Sequence, residues 1–225
     1  MSTPESTSGR GNLARTLVVS VAVVAVLLLG AAVGLLIKLP NSEPSYPAAD
    51  SVDVGFCQDM STHHLQAVQM SNIARDKSTD PAVKTLAFDI ASTQLEQTGR
   101  MKGWLMLWSQ PEQSNSGEHM KWMAGSGGHA HSTGTSDDHT VTLMPGMATS
   151  ADLAKLRSLT GKDLDVYYLQ LMLRHHLGGA PMADYARQHA GQHVVQTLAD
   201  NMLKGQSHEI DLMKSMLSER GAQPL

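Results

Sequence analysis

The chain has 225 residues, a formal net charge of −4 and only 4% aromatic residues, against 14 methionines and 11 histidines. That length allows one folded domain with accessories, and the acidic balance leaves no electrostatic footprint for nucleic acid. The single cysteine, Cys57, excludes an internal disulfide.

Residues 1–15 are polar and rich in Gly, Ser and Thr, and read as a disordered cytoplasmic tail. An uncharged apolar run follows from Leu17 to Ile37. At about 1.5 Å per residue such a helix crosses a bilayer core of roughly 30 Å. Residues 16–38 are therefore expected to be a single-pass membrane anchor. Arg10 and Arg15 precede the run and only Lys38 follows it closely, which places the N-terminus inside and the remainder outside. The rival reading is a signal peptide, cleaved near Gly30-Ala31-Ala32, which would make the protein secreted. No cysteine follows the run, which disfavours a bacterial lipid anchor.

Residues 39–50 carry three prolines with Pro40 and form a spacer. Residues 51–76 read as a helix, because Asp53, Phe56, Met60, His63, Ala67 and Met70 step by three and four along one stripe. Lys77 to Pro81 breaks it, with Asp80 as N-cap and Pro81 at the first helical position. A second helix runs to about Trp108, completing a first hairpin over 51–110. Residues 111–150 lose all hydrophobic period and become rich in Gly, Ser, Thr, His and Met, with His119, His129, His131 and His139 among them. They read as a flexible linker with a capacity for metal capture. A second hairpin over 151–225 offers a short helix from Asp152 to Leu159 and long helices at about 163–189 and 193–219, with Gly191 in the turn. Pro181 is expected to kink the first of these long helices, since its ring displaces the hydrogen bond to the Leu177 carbonyl.

The two hairpins are near-copies. An ungapped offset of 112 residues carries Asp53 to Asp165, Met60 to Met172, His63-His64 to His175-His176 and Met70 to Met182. It continues through Ala74-Arg75, Thr85-Leu86-Ala87, Gln94 and Met101-Lys102 to their second-copy counterparts, which marks an internal duplication. One hairpin cannot bury its own apolar stripe, whereas two can bury theirs against each other. The expected fold is all-α: a ferritin-like four-helix bundle made of two duplicated hairpins, preceded by one transmembrane helix.

The duplicated unit keeps polar His and Met positions beside the apolar ones. Imidazole binds copper, zinc, nickel or iron, and thioether selects Cu(I). The candidate metal ligands are His63, His64, His175, His176, Met60, Met172, Met70, Met182, Glu209 and Cys57, with a copper ion as the expected cofactor and another divalent transition metal as the alternative. Cys57 is either a ligand or a buried small hydrophobe. Glu209 aligns with Gln97, so the two halves are chemically unequal; its carboxylate can ligate metal or orient an imidazole N–H.

The pattern D-x-x-[FY]-x-x-x-M-x-x-H-H-x-x-x-x-x-M, followed by Q-x-x-E-x-x-x-M, resembles the domain-of-unknown-function family 305. M-P-G-M-A at 144–148 and L-x-x-L-x-x-x-x-G from Leu153 to Gly161 are similar to that family's lead-in to its second repeat. The resemblance covers about 53–220. It implies a ferritin-like bundle, secreted or membrane-anchored, with some members linked to copper binding or tolerance. It carries the family's His, Met and acidic positions onto the residues named above, Cys57 apart. Gln97 in place of Glu, the polar Ser61-Thr62 and Pro181 depart from the pattern.

The leading functional reading is a membrane-anchored extracytoplasmic copper-binding protein that buffers or chaperones the metal. An oxidoreductase with a bundle-core metal centre is the second, disfavoured because di-iron bundles use Glu-x-x-His and neither repeat has it. A metal-free helical interaction module is the third. No protein partner follows from the sequence.

Overall fold

The computed structural model describes residues 8–38, 46–114, 117–126 and 143–225. The chain divides into two compact units, residues 1–45 and 46–225. The first contains helix α1 (Ser8–Lys38). Its stretch Leu13–Leu35 has a mean hydropathy of 2.8 and faces solvent throughout, so α1 is long and apolar enough to cross a membrane. α1 begins at Ser8, inside the segment expected to be a disordered tail.

The second unit is all-α, with no strand among the described residues. Helices α2 (Val52–Lys77) and α3 (Pro81–Leu107) form one hairpin, and α5 (Gly161–His189) and α6 (His193–Glu219) form the other. The short α4 (Ser150–Ser158) leads into α5, and a 3-10 turn covers Lys121–Ser126. The hairpins meet chiefly through their first helices, α2 and α5. All four long helices fall within two residues of their expected limits, and local chemistry frames the first two. Ser51 Oγ accepts from Val54 N–H at the start of α2, and Asp80 caps α3 with Pro81 behind it. Thr149 and Asp152 form a reciprocal capping box on α4.

The start of α6 is capped from outside its own hairpin. Asp53 accepts from the backbone N–H of Gly191 at 2.9 Å and of Gln192 at 2.8 Å. A buried carboxylate on α2 thus satisfies donors in the α5–α6 turn and faces the positive end of α6. Pro181 lies within α5, which continues unbroken to His189.

Apolar burial falls into two clusters. One joins the N-terminal half of α2, the C-terminal half of α3, the C-terminal half of α5 and the start of α6; Phe56, Met60, Met101, Met182 and Leu198 belong to it. The other joins the complementary halves, with Met70, Leu86, Tyr168, Met172 and Met213. The 112-residue register exchanges them: Phe56 and Tyr168, Met60 and Met172, Met70 and Met182, and Leu86 and Leu198 occupy opposite clusters. A twofold relation between the hairpins has this property. The four histidines of the paired motifs lie between these halves, at mid-length of α2 and α5.

Two stretches of the expected linker pack against α2. Asp59 accepts from His119 Nδ1 (2.7 Å), Met120 N–H (2.7 Å) and Trp122 Nε1 (2.8 Å), and the Trp122 ring meets Phe56 edge-on at 5.8 Å. Around Ala148, the Gln66 side-chain amide donates to the carbonyl (2.9 Å) and accepts from the N–H (2.6 Å). These attachments leave no hydrophobic period in the sequence, since they rest on single polar side chains pairing with backbone. His129, His131 and His139, with their expected metal capture, lie outside the described residues.

Candidate metal centre

The α2–α5 contact brings the motif histidines together. The His63 and His175 rings lie 3.7 Å apart between centroids, tilted by 34°. All four imidazoles of the two pairs are buried. Each uses Nε2 in a hydrogen bond. His63 Nε2 donates to the Pro145 carbonyl at 3.1 Å, and His175 Nε2 to the His63 carbonyl at 3.0 Å. His64 Nε2 donates to Gln97 Oε1 at 2.8 Å, and His176 Nε2 to Glu209 Oε2 at 2.6 Å. A carbonyl or carboxylate oxygen can only accept, so each Nε2 carries a proton, and in a neutral ring Nδ1 then keeps a bare lone pair. All four Nδ1 atoms are buried without a hydrogen-bond partner.

Burial also keeps His63, His64 and His175 neutral. Desolvation pulls His63 from its ordinary value of 6.5 down to about 4, against the Pro145 hydrogen bond, which favours the charged ring. His64 falls to about 3 through burial and the neighbouring His63. His175 is held well below the usual range by burial and then by the other three rings. Neutral imidazole with an open lone pair is the form a metal needs.

A loop closes one side of this layer. Met144 to Ala148 carries Pro145 over the His63 ring and crosses α5 where two glycines permit it. A Cβ at Gly178 would collide with the Pro145 carbonyl, and one at Gly146 (φ 79°) would meet the Arg174 carbonyl at 2.5 Å. At Gly179 a Cβ would sit 3.0 Å from His63 Cε1. The Gly178-Gly179 pair thus serves close approach of a loop and a ring. The loop also breaks the symmetry: His175 binds the His63 carbonyl, whereas His63 turns to Pro145.

The thioethers lie to either side. Met60 and Met182 belong to one apolar cluster and Met70 and Met172 to the other, all four fully buried. Cys57 is buried among Phe56, Met60 and Met101, and burial with the nearby Asp53 charge raises its thiol far above the usual range. That environment favours the small-hydrophobe role over the thiolate a metal would need. Glu209 Oε2 accepts from the outer nitrogen of His176, an arrangement that can orient that ring. Among the described residues, no three His, Cys, Asp or Glu side chains are already gathered into a metal-holding group.

Two contributors escaped the sequence reading. Pro145 acts through its carbonyl, which no side-chain pattern announces. Asp59 did leave a signal, because it stands on a buried face where the second copy has Leu171.

The family described as a domain of unknown function, DUF305, matches residues 53–217. The chain belongs to the DUF305 family. A DUF305 protein of Streptomyces coelicolor, provisionally described as secreted, is 46% identical over 79% of this chain and 99% of that one, with a TM-score of 0.69. A DUF305 fragment from Deinococcus radiodurans is 27% identical over 78% and 99% of the two chains, TM-score 0.61. CopM, solved in a Cu(I)-bound form, is 22% identical over 74% and 96%, TM-score 0.54; at that identity the likeness speaks for the DUF305 fold alone. None of the curated proteins matches the chain.

Proposed function

We propose that this DUF305 protein binds copper in the extracytoplasmic space, tethered to the membrane by α1, and buffers the ion or passes it on. One observation carries the reading: four buried imidazoles, each with Nε2 fixed by an oxygen acceptor and Nδ1 buried without a partner. A buried polar atom left unpaired costs about 1–3 kcal/mol, and repeating that cost at equivalent positions of both copies is hard to explain by packing. His63, His64, His175 and His176 would hold the ion, with Met60, Met70, Met172 and Met182 as the neighbouring thioethers. Bound there, copper would meet soft and borderline ligands that suit Cu(I), with another transition metal as the lesser candidate. The scaffold is read as ferritin-like without that fold's di-iron chemistry, since Glu-x-x-His is absent from both copies. CopM, a protein of the same fold, has been solved in Cu(I)-bound and Cu(II)-bound forms.

The metal-free interaction module draws on a different observation. The His63–His175 stack and the lack of a gathered three-residue group among the described residues also suit imidazoles packed as core. Metal content decides between the two. The purified full-length chain should compete for Cu(I) against a chromogenic chelator, and H63A/H175A should lose that competition. Equal retention by parent and double variant would overturn the bundle site. For the tether, protease added to intact cells should reach the bundle; full protection would place it in the cytoplasm.

A further inference from the structure

The two hydrogen bonds behind His64 and His176 occupy equivalent places in the two hairpins and differ by one charge. His64 is backed by the neutral amide of Gln97 at 2.8 Å, and His176 by the carboxylate of Glu209 at 2.6 Å. Both acceptors stand 33 residues beyond their histidine. No other group at the centre brings a negative charge, since the imidazoles and thioethers have none to offer. The nearby acids are committed elsewhere or distant. Asp59 has both carboxylate oxygens on His119, Met120 and Trp122. Asp152 holds Arg174 at 2.7 Å. Asp165 precedes His175 by ten residues, roughly 15 Å along the helix axis. Tyr168 is kept as a neutral phenol by burial and bonds Ser71 Oγ at 3.0 Å.

We infer that Glu209 is the specificity-determining counter-charge of the histidine layer, matching it to one monovalent cation and disfavouring a divalent one. This rests on reading the layer as a metal site. A buried cation needs a compensating charge. One carboxylate neutralises one monovalent ion, whereas a divalent ion leaves an uncompensated positive charge in a closed core. The carboxylate acts through the imidazole, raising its basicity as a ligand and fixing its tautomer. Glu209 is therefore a positioning residue, and Gln97 is the device that withholds a second charge. Glu209 retains 22% side-chain exposure, so its carboxylate also reaches solvent.

The test uses the full-length chain with Ag(I) and Zn(II) as probes in competition titrations, alongside the melting temperature of the metal-free protein. Glu209→Gln keeps a hydrogen-bond acceptor of the same length, as Gln97 shows the fold tolerates. It should weaken Ag(I) binding by about 10–100-fold and Zn(II) binding further, since a divalent ion loses twice the Coulomb attraction. Gln97→Glu should raise Zn(II) affinity relative to Ag(I). The exchange variant E209Q/Q97E restores the charge count on the other hairpin and should recover most of the Ag(I) affinity, which a local structural role for Glu209 would not do. Undiminished Ag(I) binding by E209Q, with binding lost in H63A/H175A, overturns the counter-charge role alone. So does an exchange variant that melts like the parent yet fails to recover. Undiminished binding by H63A/H175A overturns the metal site beneath it.

Discussion

Each motif histidine divides its two ring nitrogens between different tasks. Nε2 is anchored by an oxygen, and Nδ1 faces the buried interior without a partner. That division has a consequence for the protein without metal. His63, His64 and His175 bind protons less readily in the folded chain than in the unfolded one, whose histidines titrate near 6.5. Between those values the unfolded state binds more protons, so stability rises with pH. The contribution is fully present above about pH 6.5 and is lost as pH falls from there toward about 4. Urea melts of metal-free protein across that window should show falling stability, and H63A/H175A should flatten the slope. A pH-independent midpoint between 7 and 4.5 would contradict the neutral buried rings. Gly178 makes a second residue-level prediction. Gly178→Ala drives a methyl into the Pro145 backbone, which cannot rotate away, and should cost about 1–3 kcal/mol. Gly99→Ala, on an open face inside α3, should instead stabilise by about 0.5–1 kcal/mol.

Among the elements, the segment around Trp122 depends most on one side chain. Asp59 is the acceptor for His119, Met120 and Trp122, and Gly55 leaves room for the indole against α2, where a Cβ would meet the ring at 2.5 Å. Replacing Asp59 by Ala removes a charged acceptor from three donors, each bond worth about 1.5–3 kcal/mol. The segment should release from α2, shifting Trp122 emission to the red and opening residues 117–126 to limited proteolysis. Unchanged fluorescence and cleavage would show that the ring contacts with Phe56 and Tyr185 hold it unaided. Helix α6 tests the reciprocal case. Asp53→Ala uncaps its start from a distance and should cost about 0.5–2 kcal/mol, with faster amide exchange at Gly191 and Gln192 ahead of the rest of α6.

For the molecule as a whole, duplication places the same chemistry twice and the fold then makes the copies unequal. Phe56 and Tyr168, or Met60 and Met172, exchange clusters as related halves should. Pro145, Gln97 and Asp59 do not follow the relation: Pro145 and Asp59 each add a polar interaction that only one hairpin has, and Gln97 puts a neutral acceptor where the other hairpin has the Glu209 carboxylate. Helix limits and the apolar stripes were legible in the chain because caps such as Asp80-Pro81 and the three-four spacing are properties of neighbouring residues. The histidine pairs were legible as candidates because the register repeats them. Their convergence required knowing that α2 packs on α5, which helical periodicity implies only as a need for some partner surface.

The sequence alone determined the all-helical class, the two hairpins, the apolar N-terminal helix and the identity of the four imidazoles. Each of these follows from residue type and spacing along one element, where backbone geometry turns period into a face. Tertiary structure decided which ring nitrogen stays open, which acceptor stands behind each ring, and why Gly178 and Gly179 are small. Those depend on partners such as Pro145, 82 residues from His63, and Glu209, 33 from His176. A backbone carbonyl carries no side-chain signature, and contacts across such separations are selected only when the packed helices bring the groups together.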